Sequence, residues 1–393
     1  MNSSEKWASV AGGKSFLVIL FGSLEYDGRV KRMLEVLREL GPVTLVDLES
    51  DRKKSKDRFE GVDKIRVALP PNAGKFYRHL RFWLTSVRQA WRVKPGVIVA
   101  EDYFTCFPGW LAAKFAGAKF AYDAHELIIP EVGKKMILRS RFWYLLERWA
   151  VQRANLVIAA NEDRAQFMAD HYGLKRLPEV MRNIPPGGYL PTDPKKAIQA
   201  YPALARRNHE ERFLLYQGDV NLSRGLGRFV KALEFLPQCY RLVVAGSGPD
   251  LDKLCAMAEP FSREGRFVAL GKVENQMLPA ITTLADVGIV SYPFTGLNNI
   301  YCAPNKLFEY AQAGLPVVAT DQPPLRKAVE TYEIGELVCE KDFPEQVAST
   351  LRKVVTNKNR YQKQLPGFLD ANKWQDEAER VRKSFESIWT GMS

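Results

Sequence analysis

Lys306 and Asn305 lie in the stretch CAPNKLFEYAQAG (302–314), where Pro304 suits the first turn of a predicted helix. The free backbone N–H groups of such a turn already carry partial positive charge and normally attract acidic side chains. A lysine and an amide at this position therefore suit an anionic ligand such as a diphosphate. Glu309, one turn further along the same side, could accept hydrogen bonds from sugar hydroxyls. The alternative is a surface helix with a weak, exposed Lys–Glu pair.

A second candidate for phosphate binding is the stretch QGDVNLSRGLGRF (217–229). A predicted strand ends at Gly218, and Arg224 precedes the next predicted helix. An arginine can hold two phosphate oxygens at once. The alternative is a loop with an exposed cation. The presence of two such loops at strand ends in one half of the chain favours phosphate binding.

A regular alternation of strands and helices positions these residues. The chain has 393 residues, 46% of them hydrophobic and 26% charged, which favours two domains. The predicted strands are 15–22, 42–49, 96–103, 118–126, 155–161, 212–218, 240–246, 266–271, 285–292 and 315–321. The clearest helical patterns are 28–41, 139–154 and 374–389. Strands separated by helices indicate parallel sheets covered on both faces.

Proline and glycine around residues 182–196 interrupt this alternation and predict a linker. We expect a doubly wound domain at 1–185 and a hinge at 186–210. These are followed by a second domain at 211–370 and by a final helix at 371–393 that packs back toward the N-terminal domain. Ligands of doubly wound sheets bind beyond the carboxyl ends of the strands, so a cleft between the domains is expected.

The net charge of +12 is unevenly distributed along the chain. Residues 1–185 contain 31 Lys and Arg against 21 Asp and Glu, whereas the remainder contains 26 against 24. The first half is therefore expected to meet a negatively charged surface or acceptor.

Two basic, aromatic segments in that half, 74–94 and 133–149, are typical of helices that lie in an anionic membrane interface. The alternative is a pair of core-facing helices with solvated lysines and arginines. No recognition motif for nucleic acid is present, so a nucleic-acid partner is not expected.

The five cysteines are far apart and show no Cys-x-x-Cys spacing, which favours reduced thiols over disulfides or zinc ligands. The first apolar run is too short for a signal peptide. No stretch approaches the ~18 apolar residues of a membrane span. We expect a cytoplasmic protein, with peripheral attachment to the inner membrane face as an option.

Four stretches together resemble glycosyltransferase family 4, whose members are retaining nucleotide-sugar transferases with the GT-B fold. These stretches are YCAPNKLFEYAQAGLPVVATD, QGDVNLSRGLGRFVKALEFLP, RLVVAGSGP and YDAHEL. The resemblance covers nearly the whole chain, and it depends on the order and spacing of the stretches. It implies an α/β protein with two doubly wound, Rossmann-like domains facing across a cleft, the second of which binds the donor.

The resemblance assigns residues of the donor site and also shows departures from the family pattern. Glu309 matches the last residue of a Glu-x7-Glu signature and implies a ribose contact. Tyr301 occupies the position of the first glutamate. Backbone amides around 302–305 would therefore have a larger part in holding the donor hexose. Arg224 matches the second member of a basic pair that holds the diphosphate.

Asp219 stands where the first member of that pair is expected, and it cannot bind a phosphate in the same way. Lys306 could compensate for this departure. The stretch LGKVENQML resembles the segment that cradles the nucleobase, which makes Lys272 a candidate contact. Gly246 begins a Gly-rich turn, but the G-x-G-x-x-G of dinucleotide-binding enzymes is missing.

His125 in the stretch YDAHE matches a family histidine that contacts the donor sugar; the alternative is a histidine that caps a strand end. Asp27 and Arg29 resemble the first strand-to-helix turn of the family, where they could line the acceptor side or simply cap the helix. Asp250 and Asp252 have the spacing of a metal-binding Asp-x-Asp. They follow Gly-Pro at a helix start, where acidic residues stabilise the helix instead.

These observations predict a metal-independent, retaining glycosyltransferase with no cofactor. It would move a hexose from a nucleoside-diphosphate sugar, with uridine favoured over guanosine, to a glycan or lipid-linked acceptor of cell-surface polysaccharide or glycolipid assembly. The catalytic residues would be His125, Arg224 and Lys306. A GT-B sugar-nucleotide epimerase and a catalytically silent scaffold at a membrane remain open as alternatives.

Overall fold

The computed structural model describes residues 14–49, 59–70, 72–131, 136–186, 193–206 and 208–390. The described chain forms two compact units. The first runs to Arg182 and resumes at Gln375, and the second is Asn183–Trp374. Residues 187–192 and 207 of the expected hinge, residues 133–135 of the second basic segment and both chain ends lie outside the described residues.

The first unit contains a seven-stranded parallel sheet in the order β3-β2-β1-β4-β5-β6-β7. Its strands are β1 (Phe16–Leu20), β2 (Val43–Leu48), β3 (Val62–Val67), β4 (Val97–Glu101), β5 (Lys119–Ala124), β6 (Leu156–Ala159) and β7 (Glu179–Val180). Its helices are α1 (Gly28–Leu40), α2 (Lys75–Val93), α3 (Tyr103–Ala116), α4 (Leu138–Val151) and α5 (Glu162–Tyr172).

Strand β1 lies in the interior of this sheet, in keeping with its sequence, FLVIL, which is apolar and buried at every position. It pairs with β2 on one side and with β4 on the other. The strand order therefore reverses between β1 and β4, and this reversal marks the place where ligands of such sheets bind. The edge strand β3 was not predicted, since the sequence VDKIRV is half polar and only partly buried.

The second unit contains a six-stranded parallel sheet in the order β10-β9-β8-β11-β12-β13. Its strands are β8 (Arg212–Gln217), β9 (Tyr240–Ala245), β10 (Phe267–Gly271), β11 (Val287–Val290), β12 (Val317–Thr320) and β13 (Gly335–Val338). The helices that follow α5 along the chain are α6 (Pro194–Ala200), α7 (Leu226–Lys231), α8 (Leu251–Met257), α9 (Glu259–Arg263), α10 (Leu278–Thr283), α11 (Leu297–Ile300), α12 (Asn305–Gln312), α13 (Pro323–Tyr332), α14 (Pro344–Thr356), α15 (Lys358–Gln362), α16 (Leu365–Asp370) and α17 (Trp374–Thr390).

The strand order of the second sheet reverses between β8 and β11. Two glycines at the strand ends allow the loops beside this point to approach each other. A Cβ on Gly246 would lie 1.8 Å from the carbonyl oxygen of Gly218, so a larger residue cannot fit there. Both sheets are parallel and covered by helices, which confirms the predicted α/β class.

The last helix, α17, packs within the first unit. Phe385 is fully buried and its ring meets that of Phe16 edge-on at 5.7 Å. Glu377 binds Arg182 through a 2.8 Å ion pair. Within the described residues, no helix combines the length and apolar character needed to cross a bilayer.

Part of the expected hinge at 186–210 is instead built into the second unit. Helix α6 buries Ala197, and Leu204 is also buried. Arg241 donates hydrogen bonds to the carbonyl oxygens of Ala203 and Ala205. The prolines in this segment start short helices.

Candidate active site

Charged residues converge at the carboxyl ends of β1, β4 and β5 in the first unit. Arg29, in the first turn of α1, donates to both carboxylate oxygens of Asp123 at 2.9 and 2.6 Å. Both side chains are buried. The two-point geometry is the strongest arrangement open to an arginine and a carboxylate. It holds the pKa of Asp123 below its ordinary value, although burial alone would raise it.

His125 follows β5 and completes this cluster. Its Nε2 lies 2.8 Å from Glu101 and 3.5 Å from Asp123, and its Nδ1 lies 3.8 Å from Asp27. Burial lowers the pKa of His125, but its hydrogen bonds to the two buried carboxylates outweigh that effect and raise the pKa. Burial and the charge of Asp123 raise the pKa of Glu101. His125 and Glu101 therefore keep a proton between them at neutral pH.

Asp27 and Arg29, the candidates for the acceptor side, both make contacts that stabilise the first unit. The Asp27 carboxylate accepts hydrogen bonds from the backbone N–H groups of Arg29 and Val30 and so caps α1. The Arg29 guanidinium is buried, and besides Asp123 it binds the carbonyl oxygen of Met181. The expectation that Arg29 lines an acceptor site is corrected, because its donors are engaged in the core.

Glu101, Asp123 and His125 place potential metal ligands within 4.8 Å of one another. Arg29 and the shared proton already balance much of the carboxylate charge of this group. Metal independence stays a prediction.

In the second unit, Lys306 lies in the first turn of α12 with only 8% of its surface exposed. Its ammonium is buried and has no hydrogen-bond partner among the residues that the structure describes. The nitrogen lies 4.2 Å from the ring centroid of Tyr216 and 5.8 Å from that of Tyr292. Burial, together with the positive charge of Arg224, lowers the pKa of Lys306 to about 7.

Arg224 approaches the same place from the loop after β8. Its guanidinium lies 5.0 Å from the ring centroid of Tyr292 and 3.8 Å from Asp219. The Ser291 hydroxyl donates to the Arg224 carbonyl oxygen. The sharp turn that follows needs Gly225, whose φ is 76°. Asp219, which departs from the family pattern, is thus a partner of Arg224.

Glu309 is oriented by a residue that sequence reasoning missed. The side-chain amide of Gln217 donates to Glu309 at 2.5 Å and accepts from the Thr282 hydroxyl at 3.1 Å. Gln217 is the last residue of β8 and is buried. A polar residue at the end of a buried strand is the signal that could have revealed it.

The remaining predicted donor-site residues occupy the surroundings of α12 and β10. Pro304 is the N-cap of α12, and Asn305 begins the helix with an exposed side chain. Tyr301 is half-buried just before this turn. Gly218 has φ 119°, and a Cβ there would lie 3.5 Å from the Lys306 nitrogen. Lys272 is exposed after β10, with no ion pair shown within the described chain.

Tyr216 and Tyr292 beside Lys306, and Glu101 and Asp123 beside His125, were also missed as site residues. All four lie in strands or directly after strand ends, in stretches that the sequence analysis quoted without assigning them a role. Their apolar neighbours made them resemble ordinary core positions.

Two family models match the chain. One, described as Glycosyl transferases group 1, matches residues 211–357 in the second unit. The other, described as Glycosyl transferase 4-like domain, matches residues 29–187. The chain belongs to the glycosyltransferase 4-like family. This assignment confirms the family resemblance found in the sequence.

Solved structures of other proteins share the fold of this family member. HepE of Anabaena, in complex with UDP and glucose, is 15% identical with a TM-score of 0.74, over 95% of this chain and 100% of that chain. A glycosyltransferase of Rickettsia africae ESF-5 is 13% identical with a TM-score of 0.72, over 96% and 99%. WaaG, a glycosyltransferase involved in lipopolysaccharide biosynthesis, is 17% identical with a TM-score of 0.67, over 96% and 100%. The likeness confirms the GT-B fold. A search of curated protein sequences finds no match.

Proposed function

We propose that the second unit binds a nucleoside-diphosphate sugar, with uridine as the preferred base, and that the protein transfers its hexose with retention at the anomeric carbon. The acceptor is a glycan or a lipid-linked sugar of cell-surface polysaccharide or glycolipid assembly. No metal takes part.

The buried ammonium of Lys306 is the observation that carries this proposal. Burial of an ion costs several kcal/mol, and the charges of Glu309 and Asp219 offset only part of this cost for Lys306. The described chain supplies no hydrogen-bond acceptor to the Lys306 nitrogen. A diphosphate bound at the start of α12 would supply the missing negative charge, and Arg224 would hold it from the neighbouring loop.

The same groups would assist the chemical step. When the bond between the anomeric carbon and the diphosphate oxygen breaks, negative charge grows on that oxygen. Lys306, Arg224 and the first-turn N–H groups of α12 stabilise this charge. The acceptor oxygen forms its bond to the anomeric carbon on the same face, and its proton passes to the leaving phosphate. Glu309, held by Gln217, binds the ribose hydroxyls.

His125 is proposed as the residue that orients the donor sugar. Its imidazole is fixed between Glu101 and Asp123, so it presents a single orientation and keeps a proton to donate. The His125 carbonyl oxygen also accepts a hydrogen bond from Arg164 at 2.6 Å, which fixes the backbone of this turn.

Ligands of related structures support the choice of donor. HepE has been crystallised with UDP and with UDP-glucose. WaaG is involved in lipopolysaccharide biosynthesis. At 15% and 17% identity these proteins share the fold with this chain, and the transfer of their ligand class to it is part of the proposal.

An anionic membrane surface is the proposed partner of helices α2 and α4. Helix α2 buries Phe82 and Ala90 but exposes a second apolar face among its arginines. Its exposed members are Phe76, Tyr77, Leu80, Leu84 and Trp91. Helix α4 adds Leu138, Phe142 and Leu145, which are at least half exposed. Co-sedimentation with vesicles should require anionic lipid and weaken with salt. Binding that depends on neither anionic lipid nor salt would count against this surface.

The donor site is tested by thermal-shift measurements with UDP, GDP and their sugars. UDP-sugars should raise the melting temperature of the wild type. Lys306→Ala, Arg224→Ala and Glu309→Ala should remove that shift and the transferase activity, whereas Lys327→Ala, an exposed lysine of α13, should keep both. Full activity in all three variants would refute the site. Conversion of the donor sugar without an acceptor, seen by nuclear magnetic resonance, would favour the epimerase.

A further inference from the structure

Asp102 in the first unit has a strained backbone. It lies between β4 and α3 with φ 66° and ψ 167°, a region that is essentially confined to glycine. Hydrogen bonds on both sides impose this conformation. The Asp102 N–H donates to the Asp123 carbonyl oxygen at 2.9 Å, and its own carbonyl oxygen accepts from the N–H and the hydroxyl of Thr105.

The Asp102 side chain does not perform the usual task of an aspartate at this position. It is the N-cap residue of α3, yet no capping hydrogen bond forms. Its Oδ1 is buried without a hydrogen-bond partner in the described part of the chain. Burial raises the pKa of Asp102 to about 6, and the neighbouring His125 opposes that rise. Strain and an unsatisfied carboxylate oxygen beside His125 together indicate a position kept for a ligand.

The next residue, Tyr103, lines a cavity of about 500 Å³ that Asp102 adjoins along the chain without lining it. Tyr103, Phe104 and Trp143 form an aromatic wall, with ring centroids 4.1 Å apart for the first pair and 4.9 Å for the second. Ile128 and Ile129 line the cavity from the loop after His125. This volume and this lining are typical of small-molecule sites.

Exposed apolar side chains of the protein extend outward from the rim of the cavity. Ile137 lines it with 69% of its surface exposed, and Leu138 beside it is 85% exposed. Arg139 lies at the same rim. The apolar character therefore continues from the cavity to the surface of α4.

We propose that Asp102 and the cavity lined by Tyr103, Phe104 and Trp143 form the acceptor site, and that the acceptor is an amphiphile. A hydroxyl of its sugar donates a hydrogen bond to Asp102, and its apolar aglycone occupies the cavity. The inference rests on the proposed function and names the class of acceptor that this function uses.

The probes are octyl glycosides of glucose, galactose, mannose and N-acetylglucosamine, each compared with its methyl glycoside below the micelle concentration. Saturation-transfer nuclear magnetic resonance on the full chain, without donor, reports binding. At least one octyl glycoside should bind ten-fold or more tightly than its methyl counterpart, because apolar carbons leave water. Failure of all four octyl glycosides would overturn the proposal.

Two substitutions distinguish glycoside binding at this site from a purely structural role of its residues. Ser140→Phe fills the cavity and should abolish the advantage of the octyl chain, whereas the matched control Ser140→Ala keeps it. Asp102→Gly removes the carboxylate and relieves the backbone, so it should raise the melting temperature while weakening glycoside binding ten-fold or more. Undiminished glycoside binding in Asp102→Gly, or a persistent octyl advantage in Ser140→Phe, would overturn the proposal.

A failure of the proposed function looks different. The melting temperature of the wild type with UDP, measured in the same series, tests the donor site alone. If UDP gives no shift but glycosides bind at Asp102, the donor assignment fails and the acceptor site stands. If UDP gives a shift but the glycoside results fail, only the acceptor inference is lost.

Discussion

Each unit gathers charged side chains where its strand order reverses, but the two groups differ in how their charges are balanced. In the first unit, Arg29 is paired with Asp123, and His125 shares a proton with Glu101. In the second unit, Lys306 is buried without a hydrogen-bond acceptor among the described residues. The first group is assembled by the fold itself, whereas in the proposed function a bound anion completes the second.

The largest effect should come from breaking the balanced group. Asp123→Asn removes the charge that compensates the buried Arg29 and should lower the free energy of unfolding by about 3–5 kcal/mol. Urea unfolding measures this loss. The control Asp63→Asn, on the exposed edge strand β3, should change it by less than about 0.5 kcal/mol. Equal effects of the two substitutions would mean that the ion pair is not what holds this group together.

The opposite result is expected for the unbalanced group. Lys306→Met replaces a buried cation that has no hydrogen-bond acceptor among the described residues by an apolar side chain of similar shape. It should raise the free energy of unfolding by about 1–4 kcal/mol without ligand, while stabilisation by UDP disappears.

The increase in the free energy of unfolding caused by Lys306→Met should depend on pH, because the pKa of Lys306 is lowered to about 7 in the folded chain. The unfolded side chain keeps its proton to about pH 10.4. The cost of the buried lysine is therefore complete below about pH 7 and shrinks as the pH rises from about 7 toward 10.4. A stability gain of Lys306→Met that grows with pH would contradict this account.

His125 and Glu101 in the first unit should have a smaller effect, which appears in the pH dependence of the free energy of unfolding. His125 and Glu101 both have raised pKa values, so the folded pair keeps a proton that the unfolded chain loses by about pH 6.5. Stability from His125 is full below about pH 6.5, and stability from Glu101 is full below about pH 4.3. Each contribution should fall by up to about 1.4 kcal/mol per pH unit as the pH rises toward the raised pKa of that group. The double variant Glu101→Gln/His125→Gln should lose this slope; an unchanged slope would assign it to other groups.

No effect is expected from removing divalent metal. The Arg29 guanidinium already supplies the positive charge beside Asp123. Transferase activity in excess EDTA should therefore equal that in Mg²⁺ or Mn²⁺. A loss that the metal restores would make Glu101, Asp123 and His125 the first candidates for its ligands.

The sequence was sufficient to predict the central strands and the α12 turn, because continuous apolar runs and Pro304 act locally. Strand β3 was missed because it lies at an edge and is half polar. The partners of His125 and Glu309 were missed for a different reason. Glu101 and Gln217 are distant in sequence from the residues that they orient, so only the sheet order brings them together.

The strain at Asp102 also lies beyond sequence reasoning. An aspartate before a helix predicts an ordinary N-cap, and the positive φ that aspartate tolerates is mostly αL, not the extended ψ of 167° found here. The conformation results from hydrogen bonds with β5 and α3.

The central claim, that Lys306 is kept for a diphosphate, is tested most directly by calorimetric titration of UDP at about pH 8 in two buffers of different ionisation enthalpy. Free Lys306 is mostly neutral there and should become an ammonium against the bound phosphates, so the wild type should take up close to one proton per UDP. Lys306→Met should take up none. Binding without proton uptake, or equal uptake by Lys306→Met, would contradict the claim.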